Sequence, residues 1–476
     1  MQLSQGVLPF KLELTSERLD VTAHGGLPLI LEALRAVLDR SMYERLAKRL
    51  GYAKWQTARR HLETLVLLIT AGGDCVDDVN TLRADAGLEA LVGYRLSSST
   101  QLKQFLYAFH QDAKGNRLTA EQDAELSVRG KATIRNEGPG LAVLAEMMTA
   151  VVATLHAQRP STRATLDVDA TIIEAHKRGA LRAYEGTTGY QPQMAWWAER
   201  EVWVEDEFRD GNVPAAYQVK SFLQRAFAKL PSDVTARRLR ADSALYDEAA
   251  LTWADEEGIE FAVSADMSGA LRSQVEALPE SAWADYTTLR AYDRAPNEQR
   301  QWAEVEFVPN WNRNFRLGAK PLRYIAIRVR GRQRDLYDEE PDTWRHFAIV
   351  TNMDWNGLRL LRWQREKQGT VEHAHGVMKN ELAGGTLPCG RFGSNAAWWR
   401  INALVHNLLA LTKQVALPAS MQRSRPKALR FRLFNIAGLL VRHARQLVLR
   451  ISEALPGAEA LEAARSALLA LARAKS

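Results

Sequence analysis

The chain has 476 residues, 46% of them hydrophobic, and 63 Lys and Arg against 56 Asp and Glu give a formal net charge of +7. Such a length predicts about three domains; no run approaches the roughly 18 apolar residues of a membrane span, and Met1 to Lys11 lack the charged leader and apolar stretch of a secreted protein. Cys75 and Cys389, the two cysteines, are too few for a disulfide framework or a zinc site of their own, as expected in a reducing compartment.

The first 155 or so residues read as helical. Leu27, Ile30, Leu31, Leu34, Val37 and Leu38 recur at helical spacing, and a second apolar helix pattern runs from Thr57 to Thr70 until Gly72 and Gly73 stop it. Lys48, Arg49, Lys54, Arg59 and Arg60 cluster beside that second helix. Short helices joined by glycine turns suit a helix-turn-helix reader of DNA, or equally a bundle that serves as an interaction surface. After the break at Gly138-Pro139-Gly140 a last helix is expected to reach His156, and Gln158 to Ser161 mark a domain boundary.

Beyond it the pattern changes. Ala164 to Ile173 reads as a strand with Leu166 and Val168 on one face and Asp167, Asp169 and Thr171 on the other. Two carboxylates on one strand face either meet solvent or hold a cation. Strands follow at Gln193 to Trp197 and Val202 to Phe208, then a helix from Tyr217 to Lys229. Ala236 to Ala241 forms a strand that ends on Asp242, Asp247 can cap the next helix, and Phe261 to Val263 is a fifth strand. Three strands, helix, strand, helix, strand predicts an α/β layer opening on a meander. An aspartate at a strand's carboxyl end is placed where such layers hold ligands, although a turn residue reads the same.

Ser268 to Arg345 is expected to be β-rich. Tyr324, Ala326, Arg328 and Arg330 alternate with Ile325, Ile327 and Val329 as in a half-buried strand with a basic face, and Trp302, Trp311 and Trp344 surround it. His346 to Thr351 reads as a strand returning to the core. On the next helix Glu372, His375 and Lys379 share a face, opposite an apolar stripe of Val371, Met378 and Leu382. The 71 residues from Leu382 to Ser452 contain no acid and eleven Arg and Lys. That concentration is the footprint expected for a polyanion, and Arg423, Arg425, Lys427, Arg430 and Arg432 are its densest run, ahead of an apolar helix pattern.

Three of these blocks, Leu-Asp-Val-Asp-Ala-Thr at 166–171, Arg-Ala-Asp-Ser at 240–243 and the helix from Val371 to Lys379, resemble the catalytic blocks of bacterial insertion-sequence DDE transposases. The closest match is the transposase DDE domain, group 1. Asp74 to Leu88 and Leu387 to Trp399 resemble that family too, so the resemblance covers most of the chain from about residue 20 to 415.

The resemblance implies a ribonuclease-H-like core interrupted by a β-rich insertion. It divides the chain into a helical DNA-binding region (1–157), a first core part (158–267), the insertion (268–345), a second core part (346–415) and a basic helical C-terminal region (416–476). It assigns the three catalytic, metal-binding carboxylates to Asp169, Asp242 and Glu372, with Asp167 on the same strand face as the first. Related transposases carry a tyrosine and an arginine ahead of the glutamate and a lysine seven residues after it. Here Lys379 fits, Arg365 stands at the tyrosine position and Gln368 at the arginine position, so Lys379 and Arg365 become the candidate phosphate contacts.

The implied chemistry is cleavage of the element's ends and transfer of the freed 3′-hydroxyl to target DNA, with magnesium (or manganese) at a two-ion site. The implied partners are double-stranded DNA, as terminal inverted repeats and target, and a second copy of the chain; the implied place is the bacterial cytoplasm, at the nucleoid. A hairpin intermediate would require a base held by aromatic side chains, for which the tryptophans of the insertion are candidates. A transposon-derived DNA-binding protein without catalysis and a ribonuclease-H-like nuclease stay open as alternatives.

Overall fold

The computed structural model describes residues 4–5, 10–17, 19–126, 132–177, 179–286, 298–309, 322–330 and 344–474. They form two compact units, residues 1–105 with 412–476, and residues 106–411. The expected boundary at Gln158 to Ser161 thus falls inside the second unit, and the segment beyond 416 belongs with the N-terminal part. Trp311 lies outside the described residues.

In the first unit the expected helices run Pro28–Val37 and Trp55–Ala71, with Arg40–Leu50 between them. Gly72 ends the long helix at φ +97°, a conformation glycine adopts without strain. Glu63 in the same helix is fully buried, where Arg35 donates to both its oxygens at 2.8 Å and the Tyr94 hydroxyl at 2.8 Å. From His61 to Thr70 every residue is buried. Only the first turns of this helix are therefore available to a partner, which limits a helix-turn-helix reading to Trp55 through Arg60.

The C-terminal segment completes this unit, and it is not wholly helical. Gly438–His443 and Gln446–Arg450 pair as an antiparallel hairpin, joined through Ala444 and Arg445 at φ +47° and +65°, the backbone of a tight two-residue turn. The first of these strands also pairs with Val21–Thr22. Helix Ala458–Arg473 packs on Pro28–Val37, with Arg465 on Glu32 at 2.8 Å. Arg430 donates to the carbonyls of Thr70 (2.7 Å) and Ile69 (3.0 Å). It caps the end of Trp55–Ala71, which explains its position without DNA.

The second unit is built on one nine-stranded mixed sheet. In chain order its strands are β1 (Arg163–Ala170), β2 (Gln193–Trp197), β3 (Val202–Glu207), β4 (Ala236–Ala241), β5 (Glu260–Ala265), β6 (Ala284–Asp285), β7 (Gln299–Phe307), β8 (Leu322–Arg330) and β9 (Arg345–Thr351). The spatial order is β6-β7-β8-β9-β5-β4-β1-β2-β3. β4 runs parallel to β1 and β5, and every other pairing is antiparallel. The β-rich segment is therefore a continuation of the same sheet: β9 pairs with β5 on one side and with β8 on the other, so the edge β5 would otherwise expose is covered.

The helices that accompany the sheet include α1 (Pro139–Gln158), α2 (Val219–Ala228), α3 (Glu248–Glu256), α4 (Gly357–Arg365) and α5 (Lys367–Glu381). Asp247 caps α3 as expected, accepting from the amide of Ala250 at 2.9 Å. Among the described residues, α1 alone is long and apolar enough to cross a membrane; 61% of its apolar window is buried in the protein, as in the core helix of a globular domain.

Among the described residues of the β-rich segment, Trp302 and Arg328 are committed to packing. Trp302 joins the core formed by Tyr286, Ile325, Ile349, Leu360 and Leu361. Its ring lies so close to Gly357 that a Cβ there would stand 2.2 Å from it. Arg328, expected on an exposed basic face, is buried instead; it pairs with Glu280 and lies over the rings of Trp283 (4.4 Å) and Trp344 (4.3 Å).

Because Arg430 satisfies two helix-end carbonyls, Arg430→Met is expected to cost about 1.5–3 kcal/mol, the scale of charge-assisted hydrogen bonds. Urea denaturation of the full chain measures this. Stability equal to wild type would show that solvent replaces the cap.

Candidate active site

β1 and β4 are adjacent and parallel, with Arg240 opposite Asp167 and Ala241 opposite Val168. The next pair in that register is Asp242 beside Asp169. Both carboxylates thus stand at the carboxyl ends of neighbouring parallel strands, where the chain leaves the sheet and ligands are held in α/β layers. The backbone turns immediately after each. Asp169 accepts from the amide of Ala170 at 3.1 Å, and Asp242 caps a short 3-10 turn by accepting from Ala244 at 3.1 Å.

Glu372 comes from α5. The first residue of that helix, Lys367, is buried, and its ammonium lies 3.5 Å from Oδ1 of Asp169 and 3.8 Å from Oδ2 of Asp242. Glu372 stands five residues further along the same helix, close enough to both Lys367 and Asp242 for their charges to act on it. Burial raises the Asp169 carboxyl to about 6; Lys367 opposes that rise, and the charges of Asp242 and Glu372 add to it. Glu372 is likewise raised, first by burial and then by Asp242, against Lys367. Asp169 and Asp242 are therefore brought together at Lys367, a residue with no place in the sequence expectation, and Glu372 stands on the helix that this lysine begins.

Asp167, two residues before Asp169, has a different part. It is fully buried, and Arg240 grips it with Nε at 2.6 Å and Nη2 at 2.9 Å. The hydroxyl of Thr370, on α5, donates to the same carboxylate. Nη1 of Arg240 reaches the carbonyl of Trp363 (2.6 Å) and Glu366 (3.0 Å), and the guanidinium lies 4.9 Å from the Trp363 ring centre. One buried arginine ties β1, β4 and the junction of α4 with α5. Asp167 serves that junction, while Asp169 faces Lys367.

A groove of about 450 Å³ opens beside the acids, lined among others by Asp242, Glu372, Lys367, Arg365, Arg300 and Arg345. Arg300 and Arg345 come from β7 and β9 of the β-rich segment, and neither stood out in the sequence. Lys379 is two helical turns beyond Glu372 and half-buried. His375, expected on the same exposed face, is instead buried against Trp203 with ring centres 4.9 Å apart, and burial lowers it to about 3. It is a neutral core residue. Of the basic C-terminal residues, Arg423, Arg425, Lys427 and Arg432 are exposed in the other unit.

Among the described residues, no three His, Cys, Asp or Glu side chains are placed to ligate one ion together. The donor set at Asp169, Asp242 and Glu372 is nonetheless all carboxylate oxygen, the chemistry hard divalent cations require, and Lys367 shows that a positive charge is accommodated between two of them.

The sequence profile of the family described as transposase DDE domain group 1 matches residues 11–473. The chain belongs to that family, and it is a DNA-cleaving DDE transposase, a class that uses divalent metal ions. No match is found among curated proteins. Among solved structures, the chain is similar to the piggyBac transposase in its synaptic complex with hairpin DNA, at 11% identity and a TM-score of 0.48, over 84% of this chain and 78% of that one.

The two aspartates of β1 are expected to separate cleanly by stability. Asp167→Asn leaves Arg240 buried without its anion, a loss of about 3–5 kcal/mol in urea denaturation; an unchanged midpoint would remove the pair from its structural place. Asp169 holds its proton more tightly folded, at about 6, than unfolded, at about 3.9. That contribution is complete below the unfolded value and is lost as pH rises through about 6. In chelator, Asp169→Asn should therefore match wild type near pH 4 and melt higher than wild type above pH 7. A difference that stays constant with pH would contradict the assignment.

Proposed function

We propose that Asp169, Asp242 and Glu372 are the catalytic carboxylates of a cut-and-paste transposition reaction on a ribonuclease-H-like core. The observation that carries this reading is the placement of Asp169 and Asp242 side by side at the ends of parallel strands, both within 4 Å of Lys367, with Glu372 on the helix that begins at that lysine. The order β3-β2-β1-β4-β5, a meander followed by parallel strands, supports the ribonuclease-H-like description of that part of the sheet. β6 to β8 are then the insertion, joined edge to edge through β9 to β5 of the core.

The three carboxylates suit magnesium or manganese, and a pair of such ions would supply Lewis-acid stabilisation to in-line displacement at phosphorus. The remaining work falls to the protein. Lys367 holds Asp169 and Asp242 close together against their mutual repulsion. The Asp167–Arg240 pair fixes the two strands against α5, so that Glu372 meets them at a set distance. Arg365, Arg300 and Arg345 line the groove in which a phosphodiester chain would lie, and Lys379 extends that track along α5. Water attacks first at the element's end, and the freed 3′-hydroxyl then attacks target DNA.

The exposed Arg423, Arg425, Lys427 and Arg432 form the general phosphate contact of the first unit, together with Lys48, Arg49 and Lys54 on its N-terminal helices. Joining two element ends requires two active sites at one synapse, hence a homodimer on DNA.

Two measurements test this reading. Asp169→Asn, Asp242→Asn and Glu372→Gln should each lower magnesium-dependent cleavage of an element-end duplex by orders of magnitude while leaving DNA affinity within a few-fold. Full cleavage by any one of them removes that residue from the site. Replacing Arg423, Arg425, Lys427 and Arg432 by glutamine should weaken binding to unrelated sequences alike and reduce the salt slope by about one per lost contact. Arg430→Gln should leave the slope unchanged, and an equal drop would restore it as a phosphate ligand.

A further inference from the structure

The long helix of the first unit is buried from His61 to Thr70, which leaves little helical surface for reading base edges. The same unit carries a more exposed element that the cleavage chemistry does not use, the hairpin of Gly438–His443 and Gln446–Arg450. Its root is fixed. Val21–Thr22 pairs with Gly438 and Leu439, and the amide of Leu440 donates to the carbonyl of Asp20 at 2.7 Å. The Leu440 side chain is buried so close to Gly87 that a Cβ there would stand 2.9 Å from it. Leu449, directly opposite Leu440, closes on Gly438 in the same way, at 2.4 Å.

Residues opposite one another in an antiparallel pair share a face. Leu440 and Leu449 therefore turn one face inward at the root. The other face holds Leu439 with Arg450, Val441 with Val448, and His443 with Gln446. Leu439 is 46% and Val448 38% exposed, and Arg450, His443 and Gln446 are exposed as well. Towards the tip, Arg442 and the turn residue Arg445 also face solvent. The hairpin contains no acid, and among the described residues none of its three arginines has an ion-pair partner. Cations and a glutamine around an uncovered apolar stripe gain nothing from the fold. They match a polyanion that also presents methyl groups and hydrogen-bond acceptors.

We propose that this hairpin is a base-reading ribbon that enters the major groove of double-stranded DNA, with the face of Leu439, Val448, His443 and Gln446 on the base edges and Arg442, Arg445 and Arg450 on the flanking phosphates. Two antiparallel strands stand about 4.8 Å apart and fit a groove about 12 Å wide. There a glutamine can bond both N6 and N7 of adenine, and an apolar side chain can meet the thymine methyl. Gln446 and Val448 stand two residues apart on one strand and share the reading face. This rests on the phosphate contacts proposed for the first unit: Arg423, Arg425, Lys427 and Arg432 attach it to any duplex, and the hairpin selects the sequence. Gln446–Arg450 is also the edge of its sheet, where a second copy of the chain could pair. Charge decides against that occupant, because pairing the edge with itself would bring the arginines of two copies together with no acid between them.

The experiment uses the full-length chain in chelator and a duplex of the element end, with a 7-deazapurine replacing each adenine and guanine in turn to remove one major-groove acceptor at a time. Wild type should lose about tenfold in affinity at one adenine of the site. The double variant His443→Ala, Gln446→Ala should bind the unmodified element end about tenfold more weakly and lose its sensitivity at that adenine, while keeping wild-type affinity for an unrelated duplex. The triple variant Arg442→Gln, Arg445→Gln, Arg450→Gln should instead weaken both duplexes alike and lower the salt slope. Melting temperatures of both variants should match wild type, since all five side chains are exposed.

Unchanged affinity or an unchanged 7-deazapurine profile in the double variant would overturn the proposal, as would a wild type that binds both duplexes equally tightly. Sedimentation of DNA-free wild type as a dimer that the triple variant dissociates would overturn it too, by making the hairpin a protomer interface. An unchanged salt slope on replacing Arg423, Arg425, Lys427 and Arg432 would instead count against the general phosphate contact, and failure to cleave with magnesium against Asp169, Asp242 and Glu372. In either case the 7-deazapurine profile, measured without metal, still decides whether the hairpin reads bases.

Discussion

The bidentate ion pair between Arg240 and Asp167 is the constraint on which the site depends. A guanidinium on β4 closes on a carboxylate of β1 directly across the register, and its remaining nitrogen reaches the start of α5 through Trp363 and Glu366. Without it, nothing in the backbone hydrogen bonding of two parallel strands would set the distance to a helix that arrives more than 100 residues later. A buried pair of this kind contributes little net stability against a well-packed apolar alternative. Its value is positional, because Asp169 lies two residues from one partner and Asp242 two residues from the other.

That arrangement forces negative charges together, and the protein tolerates them in two ways. Asp169 is held nearer neutrality by burial and by its neighbours, while Lys367 supplies a positive charge where the repulsion is greatest. Like charges held this close cost stability, a cost of the kind that accompanies function. The same lysine begins α5, so the helix that delivers Glu372 also delivers the counter-charge. The third acid can then approach without a separate element to screen it.

Much of this was legible in the sequence, and what escaped has physical reasons. β1, β2, β4, the helix Trp55–Ala71 and the spacing of Glu372 on α5 follow from local periodicity. Arg240 could not be singled out: Arg237, Arg238 and Arg240 crowd one strand, and only the register against β1 decides which is enclosed. Arg237 and Arg238 instead reach Glu257 and Glu260. The C-terminal hairpin was hidden because its turn, Ala444-Arg445, carries no glycine or asparagine to announce positive φ. His375 sits at helical spacing from Glu372, yet its ring points into the core beside Trp203, a matter of neighbours that spacing on one helix cannot express. Lys367 offered one faint sign, a cation at the first turn of a helix, where the macrodipole disfavours it.

The β-rich segment is part of the same sheet as the acids rather than a separate domain. β9 satisfies the open edge of β5, and Trp302 of β7 seats against Gly357 at the head of α4. The segment therefore bears on the helix pair that carries Glu372, while Arg300 of β7 and Arg345 of β9 line the same groove as the acids. Acidic and cationic walls are spaced by continuous sheet hydrogen bonding rather than by loops, which holds such constellations more tightly. A substitution at Gly357 would push on Trp302 and, through α4, on the distance from Glu372 to Asp242. The β-rich segment thus bears on the acids through packing as well as through the groove it lines.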